Sequence, residues 1–151
     1  MWVEPIWGKR DFHTDEEFCF VLMPFGVPWS DRIWKRVQAV IETSGLPCKR
    51  ADDLYGRDVM EDIWWAINAS RFIVADITGR NSNVLYELGI AHTLGKDVVV
   101  LTQSAGDIPF DLKPLRHVIY EDNADGYEVL DAQLPKFVQA ILAARSPAEP
   151  S

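Results

Sequence analysis

Five short apolar runs punctuate the chain, and stripes of apolar residues at helical spacing fill the gaps between them. The first run, EFCFVLM (17–23), is continuous rather than alternating, as in a strand covered on both faces. After it, Ile33, Val37, Val40 and Ile41 share one helical stripe. Ser30 is the expected N-cap of that helix, Asp31 falls in its first turn, and Gly45 is its expected stop. LPCKRADD (46–53) predicts a second strand, and Pro47 assigns it to an edge. RDVMEDIWWAINAS predicts a second helix with Val59, Ile63 and Ile67 inward and Asp58 and Glu61 as a capping box. RFIVADI (71–77) is the third strand. NVLYELGIAHTLG is the third helix, with Leu85, Leu88 and Ala91 or His92 at helical spacing, Asn83 or Asn81 as cap and Gly95 as stop. KDVVVLTQ and LRHVIY (115–120) are the fourth and fifth strands. GYEVLDAQLPKFVQAILAAR is the last helix, which Pro135 kinks or splits.

Strands that alternate with helices and are apolar along their whole length predict a parallel sheet covered on both faces. The expected fold is an α/β, flavodoxin-like three-layer sandwich, with a five-stranded, mainly parallel sheet in the order 2-1-3-4-5. Residues 17–145 form the expected domain. Residues 1–16, with Trp2 and Trp7, read as an extension, and 146–151 as a disordered tail.

Composition narrows the functional classes. The chain has 151 residues and a net charge of −8, which argues against a generic electrostatic grip on nucleic acid or an acidic membrane. Two cysteines, Cys19 and Cys48, make no disulfide framework and lie in expected strands, so buried free thiols are the simplest reading. No apolar run approaches the roughly 20 residues of a membrane span. No basic and apolar leader is visible, so a cytoplasmic setting is expected.

The order 2-1-3-4-5 places the ligand crevice where strands 1 and 3 end, because their crossovers leave on opposite faces. Those ends are MPFGVPWS (23–30) and ADITGRNSN (75–83), with Asp52 and Asp53 close by at the end of strand 2. Glu87 falls in the first or second turn of helix 3, where the helix dipole favours an ionised carboxylate. Such a group can attack an electrophilic carbon, and a sugar's anomeric carbon suits it through an oxocarbenium-like transition state. Asp76 is the candidate to protonate or orient the leaving base. The plainer readings are a solvated helix glutamate for Glu87 and a turn cap for Asp76. Arg80 beside Gly79 could meet a phosphate. His92, five residues beyond Glu87, lies about 140° around the helix and is not its partner. The sequence contains no Ser–His–Asp order, zinc-ligand cluster or Walker loop.

At these residues, VADITGRNSNVLYELGIAHTLGK together with FVLMPFG on strand 1, the chain resembles the nucleoside 2-deoxyribosyltransferase-like superfamily. That group includes transferases and nucleotide N-glycosidases, and TIR-like domains share its architecture and helix-borne glutamate. The resemblance spans about residues 17–120. It implies that Glu87 is the nucleophile, that Asp76 handles the base, and that Pro24 and Phe25 line the sugar pocket. With the crevice argument, the expected substrate-binding set is Met23, Pro24, Phe25, Gly26, Asp53, Thr78, Gly79, Arg80, Asn81 and Asn83. A small nucleoside or nucleotide is the implied partner, in a homo-oligomer whose neighbour completes the pocket. No metal or cofactor is implied. Two positions depart from the transferases: Phe20 stands where they carry a strand-1 tyrosine, and Asn81 where they carry an acid. Transfer, hydrolysis, TIR-like NAD cleavage and non-catalytic nucleotide binding or partner interaction are therefore all open.

Overall fold

The computed structural model describes Ile6, residues 17–51 and residues 59–144. The extension (apart from Ile6), the tail beyond 145, Trp2, Trp7, Asp52, Asp53 and the expected Asp58 cap lie outside the described residues. In chain order the elements are β1 (Cys19–Leu22), α1 (Ser30–Thr43), β2 (Cys48–Arg50), α2 (Val59–Ala69), β3 (Phe72–Asp76), α3 (Ser82–Thr93), β4 (Val98–Thr102), β5 (His117–Ile119) and α4 (Ala124–Ala143). Short 3-10 turns at Thr78–Arg80, Ala105–Asp107 and Phe110–Leu112 carry the connections after β3 and β4.

The sheet has five strands in the order β2-β1-β3-β4-β5, and every pairing is parallel. This is the flavodoxin-like arrangement expected from the sequence, wholly rather than mainly parallel. β2 lies at an edge, where Pro47 can lack a ladder donor at no cost to a central strand. The three central strands β1, β3 and β4 alternate between two cores, and β2 and β5 add to the first of them alone. Cys19, Val21, Phe72, Val74, Val99, Leu101, Val118 and Tyr120 point towards α1 and α4. Phe20, Leu22, Ile73, Ala75, Val98 and Val100 point towards α2 and α3. Full burial of one such Ile, Val or Phe contributes roughly 1.5–3 kcal/mol, so both faces of the sheet are held apolar along the whole central strands.

Local details depart from the sequence reading where a polar side chain has two possible uses. Ser30 is the first residue of α1 and not its cap; its Oγ donates to the Val27 carbonyl at 3.0 Å, and Trp29 occupies the cap position without a side-chain bond. Asn81 caps α3, accepting from the Val84 N–H at 3.1 Å. The α3 stripe is Val84, Leu88 and Ala91, with Leu85 half-buried and His92 outside it. α4 runs through Pro135 as a single helix and does not split there. Its first turn packs so close to the preceding loop that a Cβ on Gly126 would stand 1.8 Å from the Glu121 carbonyl oxygen. The two cysteines are buried, free and directly opposite each other on β1 and β2.

Candidate functional site

The C-terminal edge of the sheet carries a cavity of about 350 Å³. Met23, Pro24 and Phe25, which follow β1, form one wall, and Ala51, just past β2, extends it. Met60 and Ile63 of α2 close the side. The start of α3 supplies Asn81, Asn83, Val84, Tyr86 and Glu87. The cavity therefore sits where the chain reverses its direction of sheet growth between β1 and β3, the position that the strand order dictates.

Glu87 reaches this cavity because of its helical phase. It lies three residues after Val84 and four before Ala91, both buried, so its side chain leaves α3 at the border of the inward stripe. Among the described residues its carboxylate has no hydrogen-bond or ion-pair partner. Burial raises its pKa from an ordinary 4.5 to about 7. The expected help from the helix dipole does not materialise. Glu87 is in the second turn, beyond the first-turn N–H groups where the dipole acts, and desolvation is the force that shifts it.

Asp76 is not in the cavity. The alternation of β3 sets it in phase with Phe72 and Val74, on the α1/α4 side of the sheet, whereas Glu87 projects from a helix on the α2/α3 side. There Asp76 closes a small polar network. Its Oδ1 accepts from the Thr78 N–H at 3.0 Å and the Thr78 hydroxyl at 2.6 Å, and its Oδ2 accepts from the Tyr120 hydroxyl at 2.5 Å. Gln103 completes the network: its N–H donates to Thr78 Oγ1 at 3.0 Å and its side-chain amide donates to Tyr120 Oη at 3.2 Å. Desolvation lifts the Asp76 carboxyl to about 6, against the bonds from Thr78 and Tyr120 that favour its charge. The same burial, with Asp76 beside it, pushes the Tyr120 phenol upward. The arrangement ties the ends of β3, β4 and β5 together and anchors the loop into α3; it is the turn-capping role, enlarged.

The expected phosphate contacts are engaged elsewhere too. Gly79 and Arg80 both have positive φ, at 73° and 52°, and form a tight turn. The Gly79 N–H donates to the Asp107 carboxylate at 2.8 Å, and the Arg80 guanidinium donates to the Gly106 carbonyl at 2.8 Å. Thr78 belongs to the Asp76 network, and Gly26, with φ of 71°, turns the chain beyond Phe25 without lining the cavity. Of the expected binding residues, Met23, Pro24, Phe25, Asn81 and Asn83 meet at Glu87; Gly26, Thr78, Gly79 and Arg80 do not, and Asp53 lies outside the described residues. Phe20 is fully buried on the α2/α3 side.

Ala51, Met60, Ile63, Val84 and Tyr86 line the cavity and were not anticipated. Tyr86 could have been found in the sequence, since it immediately precedes Glu87 and lies outside the apolar stripe. The Gly95-Lys96 part of the family-like segment has a structural role: Gly95 takes a φ of 74° after α3, and Lys96 Nζ donates to the Asn68 and Ser70 carbonyls at the end of α2, at 2.6 and 2.8 Å. A second cavity, also about 350 Å³, lies between α1 and α4 and is lined by the Arg36–Asp131 ion pair; neither Glu87 nor Asp76 lines it. Among the described residues no helix is long and apolar enough to cross a membrane. No family model matches the chain, and no curated protein matches it significantly.

Proposed function

We propose that the protein cleaves or transfers the N-glycosidic bond of a small nucleoside or nucleotide, with Glu87 as the nucleophile. The observation that carries this reading is a half-buried carboxylate, without a partner among the described residues, facing a cavity at the strand-1/strand-3 crevice. Its volume falls in the roughly 300–1,000 Å³ range of small-molecule sites. A Glu87 oxygen bonds to the anomeric carbon as the carbon–nitrogen bond breaks. The electron pair leaves on the base nitrogen, which takes a proton from solvent. Water or a second base then displaces Glu87 from the sugar ester. Asp76 has no part in these steps; it positions the loop that leads to Asn81 and α3. Assembly into a homo-oligomer belongs to the same proposal.

The test is chromatographic detection of free base after incubation with nucleosides, nucleotides and NAD. Wild-type protein should release base and Glu87→Gln should not; equal release by both would overturn Glu87 as nucleophile. NAD as the sole substrate would transfer the reading to the TIR-like class. A non-catalytic nucleotide-binding module is the second reading. The buried Phe20 and the use of Asn81 as a helix cap favour it, since neither offers Glu87 a hydroxyl or an acid. Ligand-induced thermal stabilisation with no ligand consumed would establish it.

A further inference from the structure

Among the described residues, two aromatic side chains are exposed at the mouth of one cavity. Phe25 is 48% exposed and Tyr86 is 54% exposed, and both line the Glu87 cavity. They come from different elements, Phe25 from the loop after β1 and Tyr86 from the outer side of α3. An exposed ring on a connecting loop is ordinarily held by little. Phe25 is backed by a built support: the Arg50 guanidinium lies 5.7 Å from its ring centroid and 4.9 Å from that of Trp34, and bonds Asp31 at 3.2 Å. Arg50 is not among the residues that line the cavity, so the cation braces the ring from outside it.

We propose that Phe25, backed by Arg50, and Tyr86 form an aromatic clamp for the planar aglycone of the substrate. This deepens the N-glycosidic reading and rests on it only for naming the ligand as a base. Recognition through ring faces requires a flat, conjugated leaving group and discriminates weakly among such groups, because every base presents a π-face. The site is then a reader of aromatic bases as a class, with the sugar carbon directed to Glu87 by the depth at which the base is held. Rigid aromatic walls also exclude water from the carboxylate once the base is bound.

The decisive probe is a matched pair of free bases, uracil and 5,6-dihydrouracil. They share one hydrogen-bonding edge, but the second is puckered and not aromatic. Calorimetric titration of the Glu87→Gln protein should show uracil binding about tenfold more tightly, the scale of one stacking contact. Phe25→Leu and Tyr86→Leu, made in the same background, should each shrink that gap; both side chains are exposed, and thermal melts verify that the variants fold. Equal binding of the pair, no binding of either at millimolar concentration, or an unchanged gap in both leucine variants would overturn the clamp. The two readings separate cleanly. A gap that collapses in the leucine variants, with no base released from any nucleoside by wild-type protein, leaves the clamp and removes the enzyme. Base release with KM unchanged in Phe25→Leu and Tyr86→Leu leaves the enzyme and removes the clamp.

Discussion

Glu87→Gln should make the protein more stable, and by an amount that depends on pH. The carboxyl shares its cavity with Met60, Ile63 and Val84 and has no donor among the described residues. Burial carries it from 4.5 to about 7. Because the folded pKa is the higher one, the native protein holds this proton more tightly than the unfolded chain does. The group's contribution to stability is therefore fully present below pH 4.5 and is lost as pH climbs through 7. Above that range the charged form costs about 3 kcal/mol by linkage, which partial contact with solvent reduces to about 2 kcal/mol. Glutamine keeps the shape and removes the charge. The stability difference between variant and wild type should hence sit at a low baseline at pH 4 and rise by about 2 kcal/mol by pH 8.5. In a chain of this size that is about 4–8 °C in Tm. Urea titrations of both proteins at pH 4, 6, 7 and 8.5 measure it, and their difference cancels every titrating group they share. A gap that is flat across pH would refute the argument, since it would mean that Glu87 is not desolvated. A variant that gains stability while losing base release would show the trade between stability and activity expected of a functional carboxylate.

Other outcomes follow from the same geometry. Tyr120→Phe removes a donor from the buried Asp76 carboxylate and should cost about 1.5–3 kcal/mol in a urea unfolding titration. It should also raise the Asp76 pKa above about 6, because that bond favours the charged form; a carboxyl-carbon NMR titration reads the change. Gly126→Ala should destabilise by about 1–3 kcal/mol through overpacking against the Glu121 backbone, with α4 detaching early in hydrogen exchange. Base release should increase with pH from 5 to 8, following ionisation of Glu87 near 7, and a rate that falls over this interval would contradict a nucleophilic carboxylate.

The sheet was legible because its central strands are continuous apolar runs. VVVLT and FIVAD could serve in no other layer, and Pro47 marked the edge. The crevice followed from strand order alone, and with it the grouping of Met23, Pro24 and Phe25 with Glu87. What failed was the face of the sheet on which a residue points. Asp76 and Glu87 are eleven positions apart on one segment, yet a period of two and a period of 3.6 send them to opposite layers. Counting back from Asp76 to Val74 and Phe72 would have shown this. The Gly79–Arg80 turn was harder: its N–H and guanidinium are used by Asp107 and Gly106 respectively, over two dozen residues away, and no local signal announces that pairing. Ser30 erred for the opposite reason, since a hydroxyl that donates to Val27 looks the same in sequence as one that accepts at a cap.

The opposed thiols on β1 and β2 make the molecule its own probe of opening. Cys19 is in the second strand from the edge and Cys48 in the three-residue edge strand itself, and both are buried. Burial, and the neighbouring Cys48 thiol, hold the Cys19 thiol well above its ordinary range, and both thiols sit in the core that α1 and α4 cover, so a reagent reaches either one only after local opening. Alkylation of Cys48, on the edge strand, then reports opening at the β2 edge, and alkylation of Cys19, one strand further in, should lag behind it. Because Ala51 of the cavity wall follows directly from β2, the rate of the first reaction is also a clock for the breathing of the cavity, and a ligand that occupies it should slow the reaction without any label near Glu87.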